Sequence, residues 1–156
     1  MYLQSQNVYI LCILFYFPET LRKFPPIMRT ERKSSKPYKI PGSDYILPTG
    51  TLVAIPVYSI HHDERYWPEP EKFDPLRFTK EENTKRNPMT YMPFGSGPRN
   101  CIGNRFALTE CKLIIAHLIV NFKFEPSEKT DIPPIFANSG SLKPLNGMEL
   151  KITTRS

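Results

Sequence analysis

Proline sets the first limit on this chain. Seventeen prolines stand against only seven glycines in 156 residues. A proline locks its own φ, gives no N–H to a helix or sheet ladder, and drives the residue before it out of the helical region. Long uninterrupted elements are therefore not expected over most of the chain. The size suits one small domain or a piece of a larger one. With 40% apolar and 23% charged residues the composition is globular and not disordered. The three cysteines, Cys12, Cys101 and Cys111, form no Cys-x-x-Cys pair. A disulfide scaffold, a zinc ribbon and a thioredoxin-type site are thereby excluded, and a reducing compartment is expected. The net charge of +6 favours an acidic protein or an anionic membrane as partner. The basic residues form no dense block, which argues against nucleic acid.

Residues 1–18 carry no charged side chain, and Val8 to Phe17 is an unbroken apolar run of ten. A bilayer-spanning helix takes about 20 residues, so this run is short for that purpose. It has neither the basic flank nor the small-residue cleavage site of a signal peptide. Residues 1–18 are expected to stand apart, closed by Pro18, with residues 19–156 forming the main unit.

Pro18 to Lys23 predicts a short helix with proline at its first position and an acid in its first turn, stopped by Phe24-Pro25-Pro26. Glu19 and Arg22 share one face of it. Taken alone they read as a surface ion pair worth a few tenths of a kcal/mol. Tyr38–Ile40, Asp44–Leu47 and Thr51–Ile55, parted by Pro/Gly turns, predict a small antiparallel sheet. His61 and His62 are adjacent and point apart in either regular structure, which disfavours a two-histidine metal site. Tyr66 to Phe78 holds three prolines and four aromatics and reads as a wrapped coil on aromatic anchors; Lys80 to Asn87 reads as a polar loop. Gly103 to Val120 is the one long helix, with a broad apolar surface from Phe106 to Ile119 that predicts burial. Cys111 is expected to pack there and His117 to be half-exposed. Asn146-Gly147 predicts a C-terminal hairpin.

The chemistry concentrates in Phe94-Gly95-Ser96-Gly97-Pro98-Arg99-Asn100-Cys101-Ile102-Gly103. Two glycines and a proline make a tight loop whose amides can turn inward. It delivers a single cysteine to the start of the long helix. The positive helix end, the amides and Arg99 would each favour a thiolate. One thiolate without a second cysteine suits a metal that takes one protein ligand, as haem iron does. A structural cysteine and a catalytic nucleophile are the alternatives, and the loop alone does not exclude them.

Phe94, Gly97, Arg99, Cys101 and Gly103 match every fixed position of F-x-x-G-x-R-x-C-x-G, and so the loop resembles the haem-binding loop of the cytochrome P450 monooxygenases. By average residue frequencies, five such matches arise in roughly one chain of this length in tens of thousands. Glu19-Thr20-Leu21-Arg22 resembles the family's E-x-x-R helix, and Phe73 to Phe78 resembles its aromatic-Pro-Arg meander. The wording is most similar to the animal microsomal clan that oxidises drugs, steroids and toxins. The likeness runs from about Glu19 to Ile152. It implies an α+β arrangement, the C-terminal part of a mostly helical fold. In order it holds the E-x-x-R helix, a small antiparallel sheet, the meander coil, the cysteine loop, one long buried helix and a C-terminal hairpin.

The resemblance also implies roles. Cys101 would be the axial thiolate of haem iron in haem b. Arg99 and Arg32 would pair with the haem propionates, Phe94 would pack on the macrocycle, and Gly97 and Gly103 would shape the approach. Glu19, Arg22 and Arg77 would form a buried cluster that locks the meander under the loop, and residues around Pro26 to Met28 would touch substrate. The implied activity is NADPH-dependent insertion of one oxygen atom of O2 into a small lipophilic substrate. The implied partner is a flavoprotein reductase, and the implied location is the endoplasmic reticulum membrane. Family members are about three times this length, so the chain is expected to lack the oxygen-activating helix and the anchor. On that expectation no catalytic residue falls within it. The alternative expectation is a truncated, non-catalytic chain that at most binds haem or a partner.

Overall fold

In the computed structural model, residue 13, residues 15–137 and residues 141–155 are described. Most of the apolar run therefore lies outside the described residues. The first helix, α1, holds residues 15–23, and residue 13 is helical too. Pro18 lies inside this helix and not at its start, a correction to the sequence expectation. A proline removes one donor but keeps its carbonyl. Here the Pro18 carbonyl accepts from the Tyr91 hydroxyl at 3.0 Å. The Thr20 hydroxyl adds a bond to the Tyr16 carbonyl at 2.9 Å in the same stretch.

After the Phe24-Pro25-Pro26 stop come β1 (Thr30–Lys33), β2 (Tyr38–Lys39), β3 (Ile46–Leu47) and β4 (Leu52–Ile55). The expected small sheet is two antiparallel pairs, β1 with β4 and β2 with β3. The register of the first sets Arg32 opposite Val53 and Thr30 opposite Ile55. Helix α2 (Val57–His61) follows. The meander then wraps around Trp67 as expected, with a single-turn helix at Pro75–Phe78. Lys80 to Asn87 departs from the expected loop. Lys80–Lys85 is helix α3, capped by the Thr79 hydroxyl on the Glu82 N–H, with Glu81 and Glu82 in its first turn and Lys85 in its last.

Helix α4 (Asn104–Asn121) is the long helix, but none of its described side chains is buried. Phe106 and Leu113 are 72% and 65% exposed. The expected burial fails because the described residues pack no second layer over its apolar face. The last pair, β5 (Phe122–Pro126) with β6 (Leu150–Thr154), is antiparallel. Gly147 turns with φ of 74°. However, β6 pairs back to β5 and not across Asn146-Gly147, and the Leu145 N–H just before that turn donates to the Ile135 carbonyl.

The core is small and unusually polar. Val57, Trp67, Phe78 and Met92 are buried, together with Glu19, Arg22, His61 and Thr90. Trp67 stands at its centre, donating Nε1–H to the Thr90 carbonyl at 3.2 Å. It meets Phe78 and Tyr91 with ring centroids 5.8 and 6.1 Å away. The Arg86 guanidinium covers the indole at 4.2 Å.

Candidate cofactor site

The stretch from Met92 to Cys101 folds into a closed ring of backbone bonds. Gly95 N–H donates to the Met92 carbonyl at 3.0 Å, Asn100 N–H to Gly97 at 3.1 Å, and Cys101 N–H to Phe94 at 2.9 Å. Gly97 sits at φ of 76°, a conformation that strains any residue with a Cβ. Three loop amides therefore serve loop carbonyls and do not turn inward as the sequence suggested. The bond from Cys101 to Phe94 draws these two residues side by side. Cys101 is exposed, and α4 begins three residues beyond it.

Arg32 comes from β1. Its Nη2 donates to the Arg99 carbonyl at 3.2 Å and its Nη1 to the Glu31 carbonyl at 2.8 Å. Arg32, Phe94, Arg99 and Cys101 line one cleft of about 350 Å³, and Pro26 and Ile27 line it as well. Two of the six cofactor residues named from sequence lie outside it. Gly97 serves the turn. Gly103, at φ of −90°, has no backbone need for glycine, and a Cβ there meets open space.

The donor set limits what such a cleft can hold. Among the described residues no group of three His, Cys, Asp or Glu side chains could cage a metal ion. A single sulfur suits an iron whose other in-plane bonds come from a macrocycle. Two guanidiniums suit a pair of carboxylates, and Phe94 offers an apolar face. The residues present fit a haem.

A second cluster centres on α1. Arg22 Nε and Nη2 fork onto Glu19 at 2.7 and 2.8 Å, and both side chains are fully buried. The remaining Arg22 donors reach the His61 carbonyl at 2.9 Å and the Pro70 carbonyl at 2.8 Å. Glu19 Oε1 also accepts the Asp74 N–H at 2.9 Å. Arg77 Nε stands 3.6 Å from the same oxygen. That is an ion-pair distance without a hydrogen bond, while Arg77 Nη2 donates to the Glu69 carbonyl at 2.9 Å. Glu19, Arg22 and Arg77 are thus assembled, and Arg22 fastens α1 to the end of α2 and to the middle of the meander. The surface-pair reading of Glu19 and Arg22 fails because both partners are enclosed.

Sequence reasoning missed three members of this neighbourhood. His61 is fully buried, and burial pushes its pKa down to about 4. Arg86 donates to the Arg77 carbonyl and stacks on Trp67. Tyr91 is bonded to Pro18, and burial holds its hydroxyl well above the usual phenol range. Neither the adjacent His61-His62 pair nor the single Tyr91 carries a spacing that points to this cluster. Arg86 had one, as the end of a capped helix.

A family model for cytochrome P450 matches residues 16–152, and the chain belongs to that family. It is 50% identical over 135 residues to the probable cytochrome P450 6a14 of Drosophila melanogaster, covering 86% of this chain and 26% of that protein. It is 53% identical over 116 residues to cytochrome P450 9e2 of Blattella germanica, covering 74% and 22% respectively. A guinea-pig relative (Cavia porcellus), cytochrome P450 3A15, is 45% identical over 137 residues, covering 88% and 27%. The chain thus spans about a quarter of the length of the curated relatives it matches. Membership of this family implies haem as the cofactor. Among the described residues no helix is long and apolar enough to cross a membrane.

Proposed function

We propose that this chain provides the haem-ligating portion of a haem-thiolate monooxygenase acting on small lipophilic substrates. The observation that carries it is the convergence of Cys101, Arg99, Arg32 and Phe94 on one cleft. Haem b, when bound, supplies the reductive activation of O2 that puts one oxygen atom into substrate and the other into water. Cys101 would supply the thiolate sulfur that holds the haem iron and lends it electron density. Arg32 and Arg99 would hold the propionates of a haem by charge-assisted bonds. Phe94, which lines the same cleft, would offer the macrocycle an apolar face beside Cys101. Pro26 and Ile27 give the cleft an apolar wall for substrate.

Electrons come from an NADPH-dependent flavoprotein reductase, drawn by the chain's positive charge in a salt-sensitive encounter. The site of action is the endoplasmic reticulum membrane. The support for the partner and the location is the likeness to animal relatives of the same family. The bare apolar face of α4 favours a narrower reading for this chain on its own, haem binding without turnover.

The test is spectroscopic. The chain is titrated with haemin, reduced, and exposed to carbon monoxide. The ferrous-CO Soret band is expected at the red-shifted thiolate position, and Cys101→Ala should abolish it. No haem-dependent band at all would sink the reading. A band with no NADPH-driven product in the presence of reductase would select haem binding alone.

A further inference from the structure

We propose that His61 is the positioning residue of the Cys101 loop, joining the end of α1 to the entry of the loop through both ring nitrogens. Its Nε2 accepts the Met92 N–H at 2.9 Å. That acceptance puts the ring proton on Nδ1, which donates to the Arg22 carbonyl at 3.1 Å. The Arg22 carbonyl lies in the last turn of α1, where helix carbonyls lack an internal partner. Arg22 Nη1 returns a bond to the His61 carbonyl at 2.9 Å, so the two residues clasp each other. The ring stacks on Tyr91 at 5.4 Å with an interplanar angle of 23°.

From Met92 the connection continues without a gap. The Met92 carbonyl accepts from Gly95, and the Phe94 carbonyl accepts from Cys101. His61 itself does not line the cleft, whereas Met92 does. It acts on the sulfur only by fixing where the loop begins. Histidine suits the place because one rigid ring presents one donor and one acceptor. Phenylalanine would keep the ring and leave a buried N–H and a buried carbonyl unpaired.

This inference rests on the Cys101 ligation reading for its consequence, but its first test needs no haem. In the full chain, native-state hydrogen exchange is followed at the Met92, Gly95 and Cys101 amides and along the β1–β4 ladder. His61→Phe should speed the three loop amides about tenfold or more and leave the ladder unchanged. His61→Gln, whose amide keeps one donor and one acceptor, should restore protection. With haem added, the Phe variant should bind it yet lose part of the red-shifted band, and the Gln variant should keep the band.

Unchanged loop exchange in His61→Phe, or an equal rise everywhere, overturns the proposal. A looser loop in a chain that never shows the red-shifted band upholds the role of His61 and sinks ligation by Cys101. Should His61→Phe not fold, the unsubstituted chain in low denaturant decides. The three amides must open together, and Met92 opening apart from Gly95 and Cys101 overturns the proposal.

Discussion

Arg22 has one strong charge partner and several carbonyls, and the arithmetic of buried charge ranks it above its neighbours. Removing it leaves the Glu19 carboxylate enclosed with only the Asp74 N–H and the more distant Arg77. Breaking a buried pair from one side costs about 3–5 kcal/mol. Arg22→Ala should therefore lower the thermal midpoint steeply. Arg77→Ala should cost less, since Arg77 stands 3.6 Å from Glu19 and is part-exposed. Arg65, exposed and paired with Asp63 at 2.6 Å, is the control, because an exposed ion pair adds little to stability. Thermal melts of the three variants check the order; a midpoint for Arg22→Ala equal to that of Arg65→Ala would refute it. At this scale the sequence was half legible. The spacing of Glu19 and Arg22 was visible, but that Trp67, Pro70 and Asp74 of the meander would meet them was not.

The elements show where local signals suffice and where they mislead. Cys101 follows a Gly-rich turn and precedes a proline-free stretch, so loop and α4 could be read directly. Thr79-Lys80-Glu81-Glu82 is a Ser/Thr-x-x-Glu start signal that its polar surroundings disguised. Strand β1 was missed because Thr30 to Lys33 is charged and its partner lies twenty residues on, a pairing that no local pattern announces. Pro18 reads as a boundary in the sequence, yet the helix runs through it, with the Pro18 carbonyl bonded to the Tyr91 hydroxyl. The α3 cap makes a modest prediction. Thr79→Ala removes the acceptor for the Glu82 N–H and should cost about 1 kcal/mol, read as a shift in denaturant midpoint. No shift would mean that α3 stands on packing against the Pro75–Phe78 turn alone.

For the molecule as a whole, acid is the sharpest probe. Folded His61 has its pKa lowered by burial to about 4, against 6.5 for a free imidazole, and Arg22 and His62 beside it oppose a positive charge further. His62 is lowered too, chiefly by burial. Between those values the unfolded chain binds the extra proton. Stability is thus complete above about pH 6.5 and is lost as pH falls toward 4, by about 3 kcal/mol for His61. Denaturant midpoints across that window should decline toward acid; a flat profile would contradict the buried neutral imidazole. The interior around Trp67 relies on Glu19, Arg22, His61 and Thr90 as much as on apolar side chains. Greasy contacts can slide and re-form in many arrangements, whereas these bonds have direction and close in only one. Heating the intact chain should therefore give an abrupt break and not a gradual softening, and with the His61 bonds in place the loop that carries the sulfur would hold its shape until that break and then lose it at once.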